Sequence, residues 1–258
     1  MLNALTPQRR RLLIGSVILV ALMASALAWM LVGGPRRETQ GIPVLLVHGY
    51  GGSASSMERL EGALRDQGRR VVSVQLPSQG TGPIEESSRA VADAVTETGA
   101  RRVDLVGFSA GGVIVRTYLR ELEGASAARR VVLLGSPNHG AEIAGFASSA
   151  DPTTCVDACA QLSQGSSFLE GLNSGDETWD GPDYTSIWTA TDQTVTPPES
   201  AILEGARNVR VQDLCSGSAL GHSDLVSDPL AIGLVIQTLA GEDGATCDAL
   251  RSLGERGA

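Results

Sequence analysis

The sequence predicts one α/β domain with a mostly parallel central sheet and helices on both of its faces. Apolar, strand-like runs alternate with helix-like stretches from residue 42 onward, and parallel strands joined in this way need helical crossovers. The runs are almost continuously apolar, as expected of strands buried on both faces. The chain has 258 residues, 42% of them hydrophobic, which is enough for one sizeable core.

The alternation can be followed element by element. Predicted strands cover residues 42–49, 70–76, 102–107, 129–136, 184–191 and 208–214. Predicted helices cover residues 55–68, 83–99, 110–122 and 229–241. The first helix has Ser55 and Glu58 at capping-box spacing, and the second begins at Pro83.

Two segments depart from this rhythm. Residues 137–182 are rich in Gly, Ser, Asp and Ala, and they are too many for a plain connection. Segments of this kind are often lids or binding loops, so we predict an irregular cap, with a solvated excursion as the alternative. The domain is then expected to span 39–241, and residues 242–258 to form a loose polar tail.

The first 38 residues form a separate unit. A basic start, Arg9 to Arg11, precedes 24 residues without a charge, which end before Arg36. Ala26-Leu27-Ala28 fits a signal-peptide cleavage site, whereas the apolar span of about 12–32 is long enough for an uncleaved membrane helix. We favour the anchor, and both interpretations predict an exported domain.

The cysteines agree with export. There are four, at positions 155, 159, 215 and 247, and an even number in an exported chain indicates disulfides with three possible connectivities. We favour Cys155–Cys159, which closes a short loop, and Cys215–Cys247, which fixes the C-terminal segment. No His or second Cys pair stands at zinc spacing, so no metal site is predicted.

The charge balance restricts the partners. The net charge is −9, which argues against binding to nucleic acid because phosphate contacts need clustered cations. The candidate catalytic residues described below point to a small-molecule substrate. Contact with a membrane is expected only through the N-terminal helix, if that helix is retained.

Ser109 is the candidate nucleophile. It lies in Gly107-Phe108-Ser109-Ala110-Gly111, where a predicted strand gives way to a predicted helix. This setting is typical of the nucleophile elbow. Side chains at the two glycine positions would collide with the neighbouring strand and helix, and glycine removes them. The alternative is a structural bend of small residues.

A serine needs a base, and the chain has three histidines, His48, His139 and His222. In this architecture the order along the chain is serine, acid, histidine, which favours His222. His139 is the second candidate, and His48 is expected to support the glycine-rich turn beside it.

The acid is expected after a strand that lies between the serine and the histidine. Asp192 directly follows the predicted strand 184–191, so its carboxylate could accept the Nδ1–H of His222 and fix its tautomer. Asp224 is the competitor because it lies only two residues from the histidine.

Acyl transfer also requires donors for a developing oxyanion. The N–H of Ala110 follows the nucleophile directly, and the N–H of Tyr50 lies in the "HGYGG" loop after the first strand. We predict both as donors. A plain strand-to-helix turn is the alternative for the "HGYGG" loop.

Together, "LLVHGYGG", "VDLVGFSAGG", "LLGSPNHG", "TATDQTVTPPESA" and "GHSDL" resemble the α/β-hydrolase superfamily, and within it small exported bacterial lipases and esterases. The resemblance covers about residues 42–240. It implies hydrolysis of carboxylic esters through an acyl-enzyme, without a cofactor. The implied roles are nucleophile for Ser109, base for His222, orienting acid for Asp192, and oxyanion donors for Tyr50 and Ala110.

One departure from the resemblance bears on the substrate. No long amphipathic lid helix can be identified, which favours short or soluble esters over long-chain triglycerides. Acyl transfer to an envelope alcohol or sugar is the alternative activity, and a non-catalytic binding module on the same fold is a third interpretation. We expect a monomer.

Overall fold

A parallel sheet of six strands forms the centre of the chain in the computed structural model, which describes residues 41–142 and 157–256. The strand order is β2-β1-β3-β4-β5-β6, and every neighbouring pair is parallel. The strands are β1 (Val44–Val47), β2 (Val71–Val74), β3 (Val103–Phe108), β4 (Ala128–Leu134), β5 (Asp183–Trp188) and β6 (Arg207–Arg210).

Helices connect and cover the strands. They are α1 (Glu58–Asp66), α2 (Ile84–Glu97), α3 (Ala110–Glu121), α4 (Ala158–Gln161), α5 (Ser167–Leu172), α6 (Val211–Leu214), α7 (Pro229–Ala240) and α8 (Cys247–Glu255). Short 3-10 turns lie at Ala54–Met57, Pro77–Gly80, Gly124–Ser126, Pro198–Ala201 and Ser223–Val226.

Alternate residues of each strand pack on opposite helical layers, as the pleat requires. In β1, Leu45 and Val47 belong to the cluster that contains α2 and α3, whereas Val44 and Leu46 belong to the cluster that contains α1, α7 and α8. The two clusters lie on the two faces of the sheet. This arrangement confirms the predicted α/β class with helices on both faces.

The C-terminal residues are not the predicted loose tail. Residues 247–255 form helix α8, in which Leu250 is fully buried. A Cβ on Gly233 would overlap the Leu250 carbonyl, and a Cβ on Gly254 would overlap the Pro229 carbonyl. The polar composition of residues 242–258 did not indicate a helix, because α8 contacts α7 closely through glycines and this contact needs few apolar side chains.

Two predicted boundaries are also wrong. The last strand ends at Arg210, and the residues that follow turn into α6 instead of continuing to 214. The first helix starts at Glu58 after a 3-10 turn, so the Ser55–Glu58 capping box is not used. Instead, Ser56 Oγ accepts the backbone N–H of Ser53 at 2.9 Å.

The predicted cap and N-terminal segment are described only in part. Within 137–182, the described residues contain the short helices α4 and α5, and residues 143–156 lie outside the described part. The predicted membrane helix, 12–32, also lies outside it. Over 41–142 and 157–256, no helix combines the length and the apolar character needed to cross a bilayer.

Candidate active site

The site lies at the carboxyl ends of β1 and β3, where the strand order reverses. β1 pairs with β2 on one side and with β3 on the other, so the chain leaves these two strands toward opposite faces of the sheet. A crevice forms at such a point, and ligands of open α/β sheets bind there. The segment after β1 carries "HGYGG", and Ser109 directly follows β3.

Ser109 has the strained backbone expected of a nucleophile elbow. Its φ and ψ are 54° and −128°, a region that non-glycine residues rarely occupy. Its N–H donates to the Leu134 carbonyl at 2.8 Å, which ties the turn to β4. Ser109 precedes the first residue of α3, so the unpaired N–H groups at the start of that helix lie beside it.

The glycines on either side of Ser109 are required by close contacts. A Cβ on Gly107 would lie 2.6 Å from Gly112 Cα, and a Cβ on Gly111 would overlap the backbone oxygens of Val47 and His48. Neither position has room for a side chain. The predicted steric reason for the two glycines is confirmed.

The loop after β1 lies directly against the serine. A Cβ on Gly49 would lie 2.8 Å from Ser109 Cβ and 3.4 Å from Ser109 Oγ. Only a glycine allows the backbone on the amino side of Tyr50 to come this close. Tyr50 lines the same pocket as Ser109, and the N–H groups of Tyr50 and Ala110 stay predicted donors.

His48 holds this loop in place and does not face the pocket. Its Nδ1–H donates to the Gly49 carbonyl at 2.9 Å, and its Nε2 accepts the Leu76 N–H at 3.3 Å. The ring is fully buried, and burial lowers its pKa below the usual value of 6.5. A neutral imidazole satisfies both contacts, which agrees with the supporting role predicted for it.

Asp192 and His222 form a buried pair. His222 Nδ1 lies 2.7 Å from Asp192 Oδ2. The other carboxylate oxygen accepts the backbone N–H groups of Thr194 and Val195 at 2.8 and 2.9 Å. Because both oxygens of Asp192 are engaged, the carboxylate is fixed in position and orients the imidazole.

The competing side chains have other partners. Asp224 Oδ2 accepts the N–H of Gly221 at 2.7 Å, within its own turn. His139 Nε2 lies 2.6 Å from Glu177 Oε1. The geometry therefore favours Asp192 over Asp224, and His222 over His139.

The imidazole of His222 is enclosed by two neighbours that the sequence did not indicate. The Phe108 ring lies 4.9 Å from it, centroid to centroid. A Cβ on Gly135 would lie 3.2 Å from His222 Nδ1 and Cε1, and 2.7 Å from Leu225 Cδ1. Gly135 has a φ of 53°, so glycine is required there by both conformation and space.

Ser109 and His222 line one pocket of about 250 Å³. Tyr50, Ser56, Phe108 and Thr194 also line it. Among the described residues, no hydrogen bond joins Ser109 Oγ to His222. With Nδ1 bound to Asp192, the imidazole has Nε2 left to contact the hydroxyl, and hydrogen bonds of this kind commonly shorten when substrate binds.

A family model for the alpha/beta hydrolase family matches residues 44–252, most of the chain. The chain belongs to the alpha/beta hydrolase family. The match includes both carboxyl-end turns of the pocket and the Asp192–His222 pair.

The solved structures that resemble this alpha/beta hydrolase include lipases and esterases. Lipase B from Aspergillus fumigatus has a TM-score of 0.70 at 19% identity, over 86% of this chain and 62% of that one. The mature form of a Bacillus licheniformis lipase has a TM-score of 0.63 at 19% identity, over 77% and 91%. An esterase from a Rhodococcus species has 0.54 at 17%, over 80% and 93%. These likenesses show the fold, and the chain spans less than two thirds of the Aspergillus enzyme.

The cysteines of the hydrolase are engaged where they are described. Cys215 and Cys247 form a disulfide, as predicted. Cys159 is disulfide-bonded, and its predicted partner Cys155 lies outside the described residues. Within the described part of the chain, no group of three or more His, Cys, Asp and Glu side chains could hold a metal ion.

The hydrolase also has a buried polar cluster that the sequence did not indicate. Arg116 of α3 is fully buried, and its Nη2 donates to Asn173 Oδ1 at 2.8 Å and to the Glu177 carbonyl at 3.3 Å. Burial lowers the pKa of Arg116 to about 10, and the Glu177 charge opposes that shift. Glu177 is also the partner of His139. This cluster therefore holds the histidine that was the second candidate for the base.

Proposed function

We propose that this alpha/beta hydrolase cleaves short-chain carboxylic esters with Ser109 as nucleophile, His222 as base and Asp192 as orienting acid. The observation that carries the proposal is the 2.7 Å contact between His222 Nδ1 and Asp192 Oδ2, on the rim of the pocket that Ser109 lines. Family membership supports the reaction class.

The first half-reaction forms an acyl-enzyme. Ser109 Oγ attacks the ester carbonyl carbon while its proton moves to His222 Nε2, and the imidazolium formed is stabilised by Asp192. The N–H groups of Tyr50 and Ala110 bind the negative oxygen of the tetrahedral intermediate. The carbon–oxygen bond to the alcohol then breaks, and His222 returns the proton to the leaving alcohol.

The second half-reaction uses water. A water molecule gives its proton to His222 Nε2 as its oxygen attacks the acyl carbon. The second tetrahedral intermediate collapses, the bond to Ser109 Oγ breaks, and the serine recovers its proton. The carboxylic acid is released.

The size of the pocket supports short acyl groups. The pocket has a volume of about 250 Å³, below the roughly 300–1,000 Å³ that is usual for sites of drug-sized ligands. Phe108 provides an apolar wall, whereas Ser56 and Thr194 provide hydroxyls. These features support esters of small acids as the substrates.

We also propose that the domain works outside the reducing cytosol. The Cys215–Cys247 disulfide supports this, because structural disulfides are rare in that compartment.

The test is ester hydrolysis by matched variants. Ser109→Ala should lower kcat for p-nitrophenyl acetate by at least about 1,000-fold while the fold is retained. Ser126→Ala removes an exposed hydroxyl in the 3-10 turn after α3 and should change kcat less than about threefold. A series from acetyl to dodecanoyl esters should show the highest kcat/KM at short chains. Unchanged turnover by Ser109→Ala would refute the proposal.

A further inference from the structure

We propose that Gln212 is a positioning residue that holds the Asp192–His222 pair together through Thr189 and Thr191. The inference rests on the function proposed above. Asp192 lies on the acid loop, residues 189–195 after β5, and His222 ends the histidine loop, residues 215–222 after α6. Both side chains are carried by loops, so a link between the loops determines how well the pair is held.

The Gln212 side chain bridges the two loops from α6. Its Nε2 donates to Thr189 Oγ1 at 2.8 Å and to the Ser218 carbonyl at 3.1 Å, and its Oε1 accepts the Ala190 N–H at 3.0 Å. The amide thus uses both of its N–H groups and its oxygen. Nε2 also has a longer contact to Thr191 Oγ1, at 3.4 Å, so four contacts on two different loops determine the orientation of the amide.

The acid loop also binds the histidine loop directly. Thr189 Oγ1 and Thr191 Oγ1 both donate to the Leu220 carbonyl, each at 2.7 Å. Thr189 is fully buried, so its hydrogen bonds are protected from exchange with water. One carbonyl of the histidine loop therefore receives two hydroxyls of the acid loop.

The positions of these contacts in the chain connect them to the catalytic pair. Thr191 is adjacent to Asp192, and Leu220 lies two residues before His222. The Thr191–Leu220 hydrogen bond therefore joins the residue that precedes Asp192 to the backbone two residues before His222. The Cys215–Cys247 disulfide fixes the other end of the histidine loop, so Gln212 and the threonines hold the end that carries the imidazole.

The first test is the kinetics of Gln212→Ala. We expect kcat for p-nitrophenyl acetate to fall about 10- to 100-fold with little change in KM, because small misplacements of catalytic groups have effects of this size. The acid limb of the kcat/KM profile should move to lower pH, because a carboxylate held less closely stabilises the imidazolium less. A loss of folded protein would lower the amplitude without moving that limb.

Matched variants separate positioning from general damage. Thr191→Val removes the hydroxyl and should behave as Gln212→Ala does, whereas Thr191→Ser keeps it and should restore kcat to within about threefold of wild type. Asp213→Ala changes the next residue of α6, whose carboxylate pairs with exposed Arg210. It should leave kcat and the pH profile unchanged.

A second measurement does not depend on turnover. The proton on His222 Nδ1, bonded to Asp192, should give a far-downfield NMR signal in wild type that is absent in Asp192→Asn and weakened in Gln212→Ala. A Gln212→Ala protein with the wild-type signal and an unmoved acid limb would overturn the positioning role. If instead Ser109→Ala retained turnover, the proposed function would fail, and the NMR signal would still decide whether Gln212 holds the pair.

Discussion

His222 Nδ1 lies 2.7 Å from Asp192 Oδ2, and the second oxygen of that carboxylate is held by two backbone N–H groups. The pair joins residues 30 positions apart in the chain. This contact fixes the tautomer that leaves Nε2 as the acceptor for a serine proton. The proposed chemistry depends on it.

Asp192→Asn tests the tautomer. An amide at this position can donate to Nδ1, which would place the imidazole proton on Nε2 and leave no base for Ser109. We expect kcat to fall by about 10,000-fold with a melting temperature within a few degrees of wild type. Asp224→Asn is the control, since its carboxylate binds only a local N–H among the described residues, and it should retain turnover. Equal losses in the two variants would contradict the assignment.

Gly135→Ala tests the space behind the imidazole. The added methyl would lie 3.2 Å from His222 Nδ1 and 2.7 Å from Leu225 Cδ1, so both side chains must shift, and the Asp192–His222 contact is disturbed. We expect kcat to fall at least about 10-fold. Gly99 also has a positive φ, 64°, but a Cβ at this position would have no neighbour within 4 Å. Gly99→Ala should therefore lower stability by about 1 kcal/mol and leave kcat unchanged. A similar kcat for Gly135→Ala and Gly99→Ala would show that His222 is not displaced.

How far the sequence predicted this site depends on the kind of contact. Gly107 and Gly111 could be explained in advance, because the elbow is a local structure whose steric needs are visible within five residues. Asp192 and His222 could be ranked by their order along the chain. Gly135 could not be predicted, since its neighbour is His222, far along the chain.

The fold, too, could be predicted where the pattern is local and not where the contacts join distant residues. Strands β1 and β3 are apolar and almost fully buried, and the sequence predicted their positions to within a few residues. The edge strand β6 is polar and mostly exposed, and its predicted end lies four residues too far along the chain. Helix α8 was missed because its contact with α7 is made by Gly233 and Gly254 approaching backbone carbonyls. The Gln212 network was missed because hydrogen bonds between loops leave no periodic pattern.

His48 predicts how stability depends on pH. Burial lowers its pKa in the folded state, so between that value and about 6.5 the unfolded chain binds more protons than the folded one. Stability is fully present above that window and falls as pH decreases through it. His48→Asn should be less stable at pH 7.5 but should decline less between pH 7.5 and 5, measured by urea midpoints. Parallel curves for both proteins would contradict this, since His139 and His222 are present in each.

Arg116 and Glu177 should be coupled. Glu177→Gln keeps a partner for His139 but removes a negative charge that acts on the buried guanidinium, and we expect a loss of about 1–2 kcal/mol in the free energy of unfolding. In an Arg116→Met background, the same change should cost at least about 1 kcal/mol less. Chemical denaturation of the four proteins of this cycle measures the coupling. Strictly additive effects would show that the Glu177 charge does not stabilise Arg116.

The most direct test of the central claim is covalent labelling of the serine. The wild-type protein, Ser109→Ala and His222→Ala should be treated with a fluorophosphonate, and the adduct located by peptide mass spectrometry. We predict one adduct on Ser109 in wild type, none in Ser109→Ala, and labelling of His222→Ala slower by at least about 100-fold, because the hydroxyl needs its base. An adduct on a different residue, or labelling that does not depend on His222, would contradict the account.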